Sequence, residues 1–457
     1  MLYLKQFVRD ESGCAAYLVG GLREGHAAVV DPQWDIAPYL EAAAAKGLRI
    51  TAIVETHLHA DHISGGRRLA AATGATIGIH PAAEVRYPHR PLTEGTVIAL
   101  GEVELRVLHA PGHRPDNITL LVTDLDRAPE PCAALTGDAL FVGGVGRPDL
   151  GGDAQRYAST LYDTLFDKLL KLPDWIEVYP AHVGGSACGA GLSGATSSTI
   201  GFERRYNYAV QPRTREQFVA LVTQELPPQP ANCRAILAKN RGELPLSEPR
   251  LPPLSVEAVR ARLAAGATVL DCRDPRAFGQ GHIAGAINVS LRAGAFGVRV
   301  GWVLTAETPL VLVLEQDADA PAALSALAAI GFGALEGYLA GGMDAWRAAG
   351  APVAVLPQLS VQELRARLQT DPSLVVLDVR EESEYGAQHV RGAINIPFWA
   401  LPQRVQELPR ERPIAVVCEG GLRSSLGASV LARAGFRELY NIAGGMAAWR
   451  QAQFQTA

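Results

Sequence analysis

At 457 residues the chain exceeds what one ordinary core holds, and a domain size of roughly 100 to 200 residues makes three domains the working expectation. Hydrophobic residues make up 48% and charged residues 19%, a composition that buries several cores and excludes wholesale disorder. A net charge of -5 with no stripe of Lys or Arg argues against nucleic acid as a partner.

Asp10 and Glu11 interrupt the apolar core that an N-terminal secretory signal needs, and no later apolar run approaches about 18 residues. The expectation is a soluble, cytoplasmic protein with no membrane partner. Six cysteines (Cys14, Cys132, Cys188, Cys233, Cys272, Cys418) lack paired short spacings, so they read as free thiols rather than a disulfide framework or a zinc knuckle.

From residue 1 to about 245, short apolar strands alternate with helical stretches: AAVVD at 27–31, a helix near 35–46, TAIVET at 51–56, a helix near 65–73 and ATIGI at 75–79. Strand-like VELRVLHA (103–110), NITLLVTD (117–124), AALTGD (133–138) and IEVYPAH (176–182) follow, which is an α/β pattern. Pro-rich segments at 225–230 and 243–254 mark a linker. Beyond it the chain repeats at a period of about 105 residues, the size of a duplicated domain. VLDCRDPRAFGQGHIAGAINVS at 269–290 mirrors VLDVREESEYGAQHVRGAINIP at 376–397, and AGGM followed by a Trp-bearing helix closes both copies. The expected domains are therefore 1–245, 253–352 and 357–455, each repeat a small unit with a mostly parallel sheet.

The segment THLHADH places His57, His59, Asp61 and His62 just after an apolar strand, and His113, Asp138 and His182 each follow a later strand. Strand ends at one sheet edge bring distant ligands to one point, which is where α/β folds bind theirs. Seven ligand-type residues so placed point to a metal site.

This constellation resembles the metallo-β-lactamase superfamily over residues 1 to about 245, with its H-x-H-x-D-H signature and the later His, Asp and His in order. The resemblance implies an αβ/βα sandwich. The superfamily includes dizinc thioester hydrolases such as glyoxalase II and a persulfide dioxygenase branch holding one ferrous ion, and the ligand residues alone do not separate them. In the dioxygenase branch the ligands map to His57, His113 and Asp138, with His59, Asp61, His62 and His182 behind them. A set of two imidazoles and one carboxylate leaves positions open for a thiolate-type substrate and dioxygen. ALFVGGVGRPDL after Asp138 is close to the branch's glycine-rich segment, with Arg147 placed to anchor a substrate carboxylate or to pair with Asp149. The chain departs from stand-alone members at Val145, Val183 and Gly184. Cys14 and Cys188 match cysteines of fused members and read equally as buried structural thiols or reactive ones.

In the last repeat IAVVCEGGLRSS puts Cys418 at the end of a buried strand, before a glycine turn and a helix beginning near Arg423. Successive backbone N–H groups capped by a helix N-terminus make an anion cradle suited to a thiolate or a persulfide. Glu419, Gly420, Gly421 and Leu422 shape the loop, and Arg423 offers charge to thiosulfate or sulfite. This resembles the rhodanese superfamily, whose loop Cys accepts sulfane sulfur. Leu314 and Asp319 stand in the earlier copy where Cys418 and Arg423 stand in the later one, so the earlier copy is expected to be silent.

The resemblances together imply an enzyme that uses one Fe2+ per chain and O2 to oxidise a small thiol persulfide, such as glutathione persulfide, to sulfite, coupled to sulfur transfer with thiosulfate and sulfite. A homo-oligomer is expected. The alternatives are a dizinc thioester hydrolase fused to rhodanese, or a sulfane-sulfur carrier or sensor without turnover.

Overall fold

The computed structural model describes residues 1–9, 12–184, 189–190, 192–211, 214–224, 226, 228–230, 232–243 and 249–457. Two compact units result. The first holds 1–229, 233–246 and 329–331, and the second 230–232, 247–328 and 332–457.

The first unit has two six-stranded sheets. One runs in the order Leu2–Arg9, Cys14–Gly21, His26–Val30, Arg49–Val54, Thr76–Ile79, Arg90–Pro91, antiparallel up to His26–Val30 and parallel beyond. The other orders Ser198–Thr199, Glu177–Pro180, Ala133–Gly137, Ile118–Asp124, Val103–His109, Val97–Ala99, with Ala133–Gly137 and Glu177–Pro180 parallel. Tyr17, Val19, Val30 and Val54 from the first sheet meet Leu105, Val107, Leu120, Val122 and Leu135 from the second in one buried layer. Helix Ala37–Ala45 covers the outer face of the first sheet, and Ala154–Asp163 and Arg215–Thr223 that of the second. Helices outside and sheets inside are the αβ/βα sandwich that the histidine pattern implied.

The N-terminal hairpin, Leu2–Arg9 with Cys14–Gly21, does not stand out in the sequence. Its second strand, CAAYLVGG, is buried at every position, so it lacks the two-residue alternation that marks a strand with one wet face.

Each repeat of the second unit is a five-stranded parallel sheet. The first orders Pro253–Leu254, Leu335–Leu339, Leu310–Val313, Thr268–Asp271, Ile287–Asn288, and the second Gln358–Leu359, Leu439–Ile442, Ile414–Val417, Val375–Asp378, Ile394–Asn395. The copies match strand for strand. Central strands such as LVLV and IAVV are buried throughout because helices flank both faces of a parallel sheet. Among the described residues no helix is long and apolar enough to cross a membrane.

Candidate active sites

Four strand-end loops build the first site. Arg49–Val54 leads to His57, Val103–His109 to His113, Ala133–Gly137 directly to Asp138, and Glu177–Pro180 to His182. Gly137 turns with φ of 56°, and the Asn117 side-chain carbonyl accepts the Asp138 N–H at 3.0 Å, which fixes the aspartate. Gly146 passes so close that a Cβ there would lie 1.9 Å from the Asp138 carbonyl oxygen and 3.0 Å from His113 Nδ1.

Donor atoms of His57, His113 and Asp138 all lie within 4.8 Å of one another. His113 Nε2 is 3.2 Å and His57 Nε2 3.7 Å from Asp138 Oδ2. The partners of the other ring nitrogens define the tautomers. Thr56 Oγ1 gives its proton to Asp31 Oδ2 at 2.8 Å, so it accepts from His57 Nδ1–H at 3.0 Å. The Arg147 carbonyl accepts from His113 Nδ1–H at 2.9 Å. Both Nε2 lone pairs are thus free beside Asp138 Oδ2, a buried carboxylate oxygen with no hydrogen-bond partner.

Burial holds His57 well below, and His113 below, the usual imidazole range, which keeps both neutral. Burial opposes charge on Asp138 as well, but His182 and His113 beside it hold its carboxyl below the usual range. Neutral imidazoles converging on a carboxylate oxygen without a partner fit a divalent metal ion.

The remaining four predicted residues surround this triad. His182 bridges two carboxylates, with Nδ1 2.7 Å from Asp138 Oδ1 and Nε2 2.9 Å from Asp61 Oδ2. His62 Nδ1 is 3.2 Å from Asp61 Oδ2; burial lowers its pKa, yet the Asp61 charge brings it up to about 9. His59 turns away, its Nε2 3.2 Å from Asp31 Oδ1 and 3.4 Å from Glu55 Oε2, and these carboxylates raise it well above the usual range against the pull of burial. Cys14 Sγ lies 3.1 Å from Asp61 Oδ2. Cys188 falls outside the described residues. Arg147 forks onto Asp149, with Nε and Nη2 each 2.7 Å from a carboxylate oxygen.

Three residues that shape the site escape the motif reading. Asp31 ends strand His26–Val30 with φ of 50°, a left-handed backbone that puts its carboxylate against Thr56 N at 2.7 Å as well as His59. Glu55 supplies the other carboxylate at His59. Asn240 Nδ2 donates to the carbonyls of His59 at 2.9 Å and His62 at 2.8 Å, pinning the histidine loop. An acid closing an apolar strand is a readable signal for Asp31 and Glu55; nothing in the sequence marks Asn240.

The second site sits at the end of Ile414–Val417. Cys418 is buried, the Gly421 N–H donates to its Sγ at 3.1 Å, and Ser424 Oγ lies 3.3 Å away. Glu419, Gly420 and Gly421 form the turn, with Gly421 at φ of 101°, and Leu422 opens the helix Leu422–Arg433. Gly445 backs the loop, since a Cβ there would lie 2.1 Å from the Cys418 carbonyl oxygen. Arg423 forks onto Glu384 at 2.6 and 2.8 Å. In the first repeat Leu314 occupies the matching strand end, Asp317 accepts the Gly341 N–H at 3.1 Å, and Asp319 pairs with Arg292 at 3.2 Å. Cys272 is buried, and burial pushes its thiol well above the usual range.

Known proteins agree with this division. The metallo-beta-lactamase superfamily model matches residues 9–182, and the rhodanese-like domain model matches 255–349 and 360–452. The chain belongs to the metallo-β-lactamase superfamily, in a fused form that carries two rhodanese-like domains. More particularly, it is a homologue of the persulfide dioxygenases: the mitochondrial persulfide dioxygenase ETHE1 of Homo sapiens is 31% identical over 234 residues, 50% of this chain and 84% of that protein. A hydroxyacylglutathione hydrolase of Polaromonas is 37% identical over 169 residues, 36% of this chain and 60% of that protein. Among solved structures, a metallo-beta-lactamase from Staphylococcus aureus aligns with a TM-score of 0.66 at 28% identity, covering 74% of this chain and 99% of that one.

Proposed function

We propose that the first domain, residues 1–245, is a mononuclear non-haem iron persulfide dioxygenase and that the last, residues 357–455, is a thiosulfate sulfurtransferase, with 253–352 catalytically silent. The observation that carries the dioxygenase reading is the convergence of His57, His113 and Asp138, whose donor atoms lie within 4.8 Å of one another around an Asp138 Oδ2 that has no hydrogen-bond partner, while both nitrogens of His182 face carboxylates. One ion fits three such ligands, and two histidines with one carboxylate are the set that suits ferrous iron in oxygenases.

When bound, the iron supplies open positions at which a persulfide sulfur and dioxygen meet. The chain's own part is to orient and shield. His182 holds Asp138 Oδ1 so that Oδ2 points inward, and the Arg147 carbonyl and Thr56 hydroxyl fix the ring orientations. Arg147, steadied by Asp149, is the group assigned to an anionic thiol carrier such as glutathione. The net reaction is RSSH + O2 + H2O → RSH + SO3(2-) + 2 H+.

In the last domain the Cys418 thiolate attacks the outer sulfur of thiosulfate. The S–S bond of the donor breaks, sulfite leaves, and Cys418 carries a persulfide that the Gly421 N–H is placed to stabilise. The reverse combines a persulfide with sulfite, the product of the iron site. Two chemistries that share sulfite and persulfide explain the fusion.

One observation favours a second reading. Asp61 joins Cys14 and His182 in one further set of donor atoms within 4.8 Å and His59 and His62 in another, and His62 Nε2 and Asp61 Oδ1 have no hydrogen-bond partner, as the second ion of a dizinc hydrolase would require. Metal analysis of the full chain decides between them. Near one iron per chain with persulfide-dependent oxygen uptake is the expected result; two zinc ions with thioester hydrolysis would establish the other reading, and no turnover would leave a sulfur carrier.

A further inference from the structure

In both rhodanese repeats an asparagine at the end of a short strand performs the same local task. Asn395 Nδ2 donates to the Asp378 and Arg380 carbonyls at 2.9 Å each, and Asn288 Nδ2 to those of Asp271 and Arg273 at 3.0 and 2.9 Å. Each pins the turn that carries a buried Asp–Arg pair.

Asn288 does more. Fully buried, it accepts the Ser425 hydroxyl on Oδ1 at 2.6 Å, and its backbone N–H donates to Ser429 Oγ at 3.0 Å. Further along the same helix, Arg433 donates to Thr268 Oγ1 at 3.0 Å. Ser425, Ser429 and Arg433 are spaced i, i+4, i+8, so a single polar stripe of helix Leu422–Arg433 faces the first repeat. This helix opens at the loop that cradles Cys418, and Ser424, next to Ser425, lies 3.3 Å from the Cys418 sulfur.

A second contact reaches the other side of the loop. Trp302 of the first repeat packs on Trp399, ring centres 5.6 Å apart. Trp399 Nε1 donates to Glu381 at 3.0 Å, and Glu381 opens the helix whose Glu384 forks onto Arg423.

We propose that the silent repeat is the positioning element of the Cys418 site, with Asn288 the positioning residue that sets Ser424 and the Gly421 N–H against the sulfur through Ser425. Without the Asn288 side chain the buried Ser425 hydroxyl and the Asp271 and Arg273 carbonyls would each lose a partner, while the backbone N–H on Ser429 would remain, and the helix would then settle differently beneath the loop. The inference rests on Cys418 as the sulfur-accepting thiol. Asn288 touches no reacting atom, so its loss should slow attack by Cys418 without weakening thiosulfate capture.

The test uses the full chain with thiosulfate and cyanide, and expresses kcat per active Cys418, counted as the one sulfite released per chain when thiosulfate is added without cyanide, so that misfolded molecules do not count. Asn288→Ala and Ser425→Ala should each lower kcat about tenfold, with the thiosulfate KM changed less than about twofold. The double variant should be no slower than Asn288→Ala, because Ser425 acts through its hydrogen bond to Asn288. Persulfide-dependent oxygen uptake should be untouched. Unchanged kcat per active Cys418 in both single variants, or losses that multiply in the double, would overturn the proposal. If Asn288→Ala does not fold, Ser425→Ala alone carries the test: a lower kcat at constant KM supports the proposal and an unchanged kcat sinks it. A wild-type chain without thiosulfate transfer would instead overturn the reading of Cys418 itself.

Discussion

The two rhodanese repeats share strand order, the Asp–Arg pair (Asp271 with Arg273, Asp378 with Arg380) and the asparagine-pinned turn, and they part company at one loop. In the last repeat the strand ends in a thiol, the next turn aims a backbone N–H at it, and an arginine is held beside it by Glu384. In the first repeat the strand ends in Leu314 and the charge pair is reversed, with Asp319 facing Arg292. The two copies therefore share one scaffold and differ in the residues of the loop that follows the central strand. The first copy also turns polar groups toward the second, Asn288 to Ser425 and Thr268 to Arg433.

The sharpest way to break this comparison is Cys418→Ser. A hydroxyl does not carry sulfane sulfur at neutral pH, so cyanide-dependent thiocyanate formation from thiosulfate should fall to the no-protein blank. Residual transfer would mean that the first repeat is not silent.

Next in size is His113→Ala or Asp138→Ala, which removes one of the three proposed ligands. Iron content and oxygen uptake should fall about 100-fold or more while Cys418 still accepts sulfur from thiosulfate. Joint loss of both activities would show that the two sites are not separable.

Arg147→Ala should raise the persulfide KM by about tenfold with kcat less affected, since a guanidinium on an anionic carrier binds ground and transition states alike. The ion pair with Asp149 sets the opposing outcome, in which kinetics stay constant and only Tm falls.

The smallest effect is expected from Leu314→Cys placed in the Cys418→Ser background. A thiol restored there meets Asp317 and Asp319 instead of an arginine, and thiosulfate transfer should stay at blank. Measurable transfer would show that the missing thiol alone silenced the repeat.

Much of this was legible in the sequence because ligand residues sit at strand ends, where short apolar runs betray them. His57, His113, Asp138 and His182 all stand at such ends, and the duplication sets Leu314 against Cys418 by simple alignment. Groups that act across the fold were not legible. Asn240 reaches the histidine loop from 178 residues away along the chain, and Asn288 reaches Ser425 from 137, and no local pattern encodes either contact. Cys14 is marked only by its match to cysteines of fused members, which allows a place near the substrate channel; its contact with Asp61 has no local signature, because it lies on a strand buried on both faces.

The central claim is that the triad of His57, His113 and Asp138 oxidises persulfide on its own. The most direct measurement is oxygen uptake by the Cys418→Ser chain, with iron content read on the same sample and sulfite assayed at the end. The account predicts iron near one per chain and wild-type uptake, one sulfite appearing for each O2 consumed. Full iron occupancy with no uptake of oxygen from added persulfide would contradict it, because Cys418 would then have to deliver the substrate.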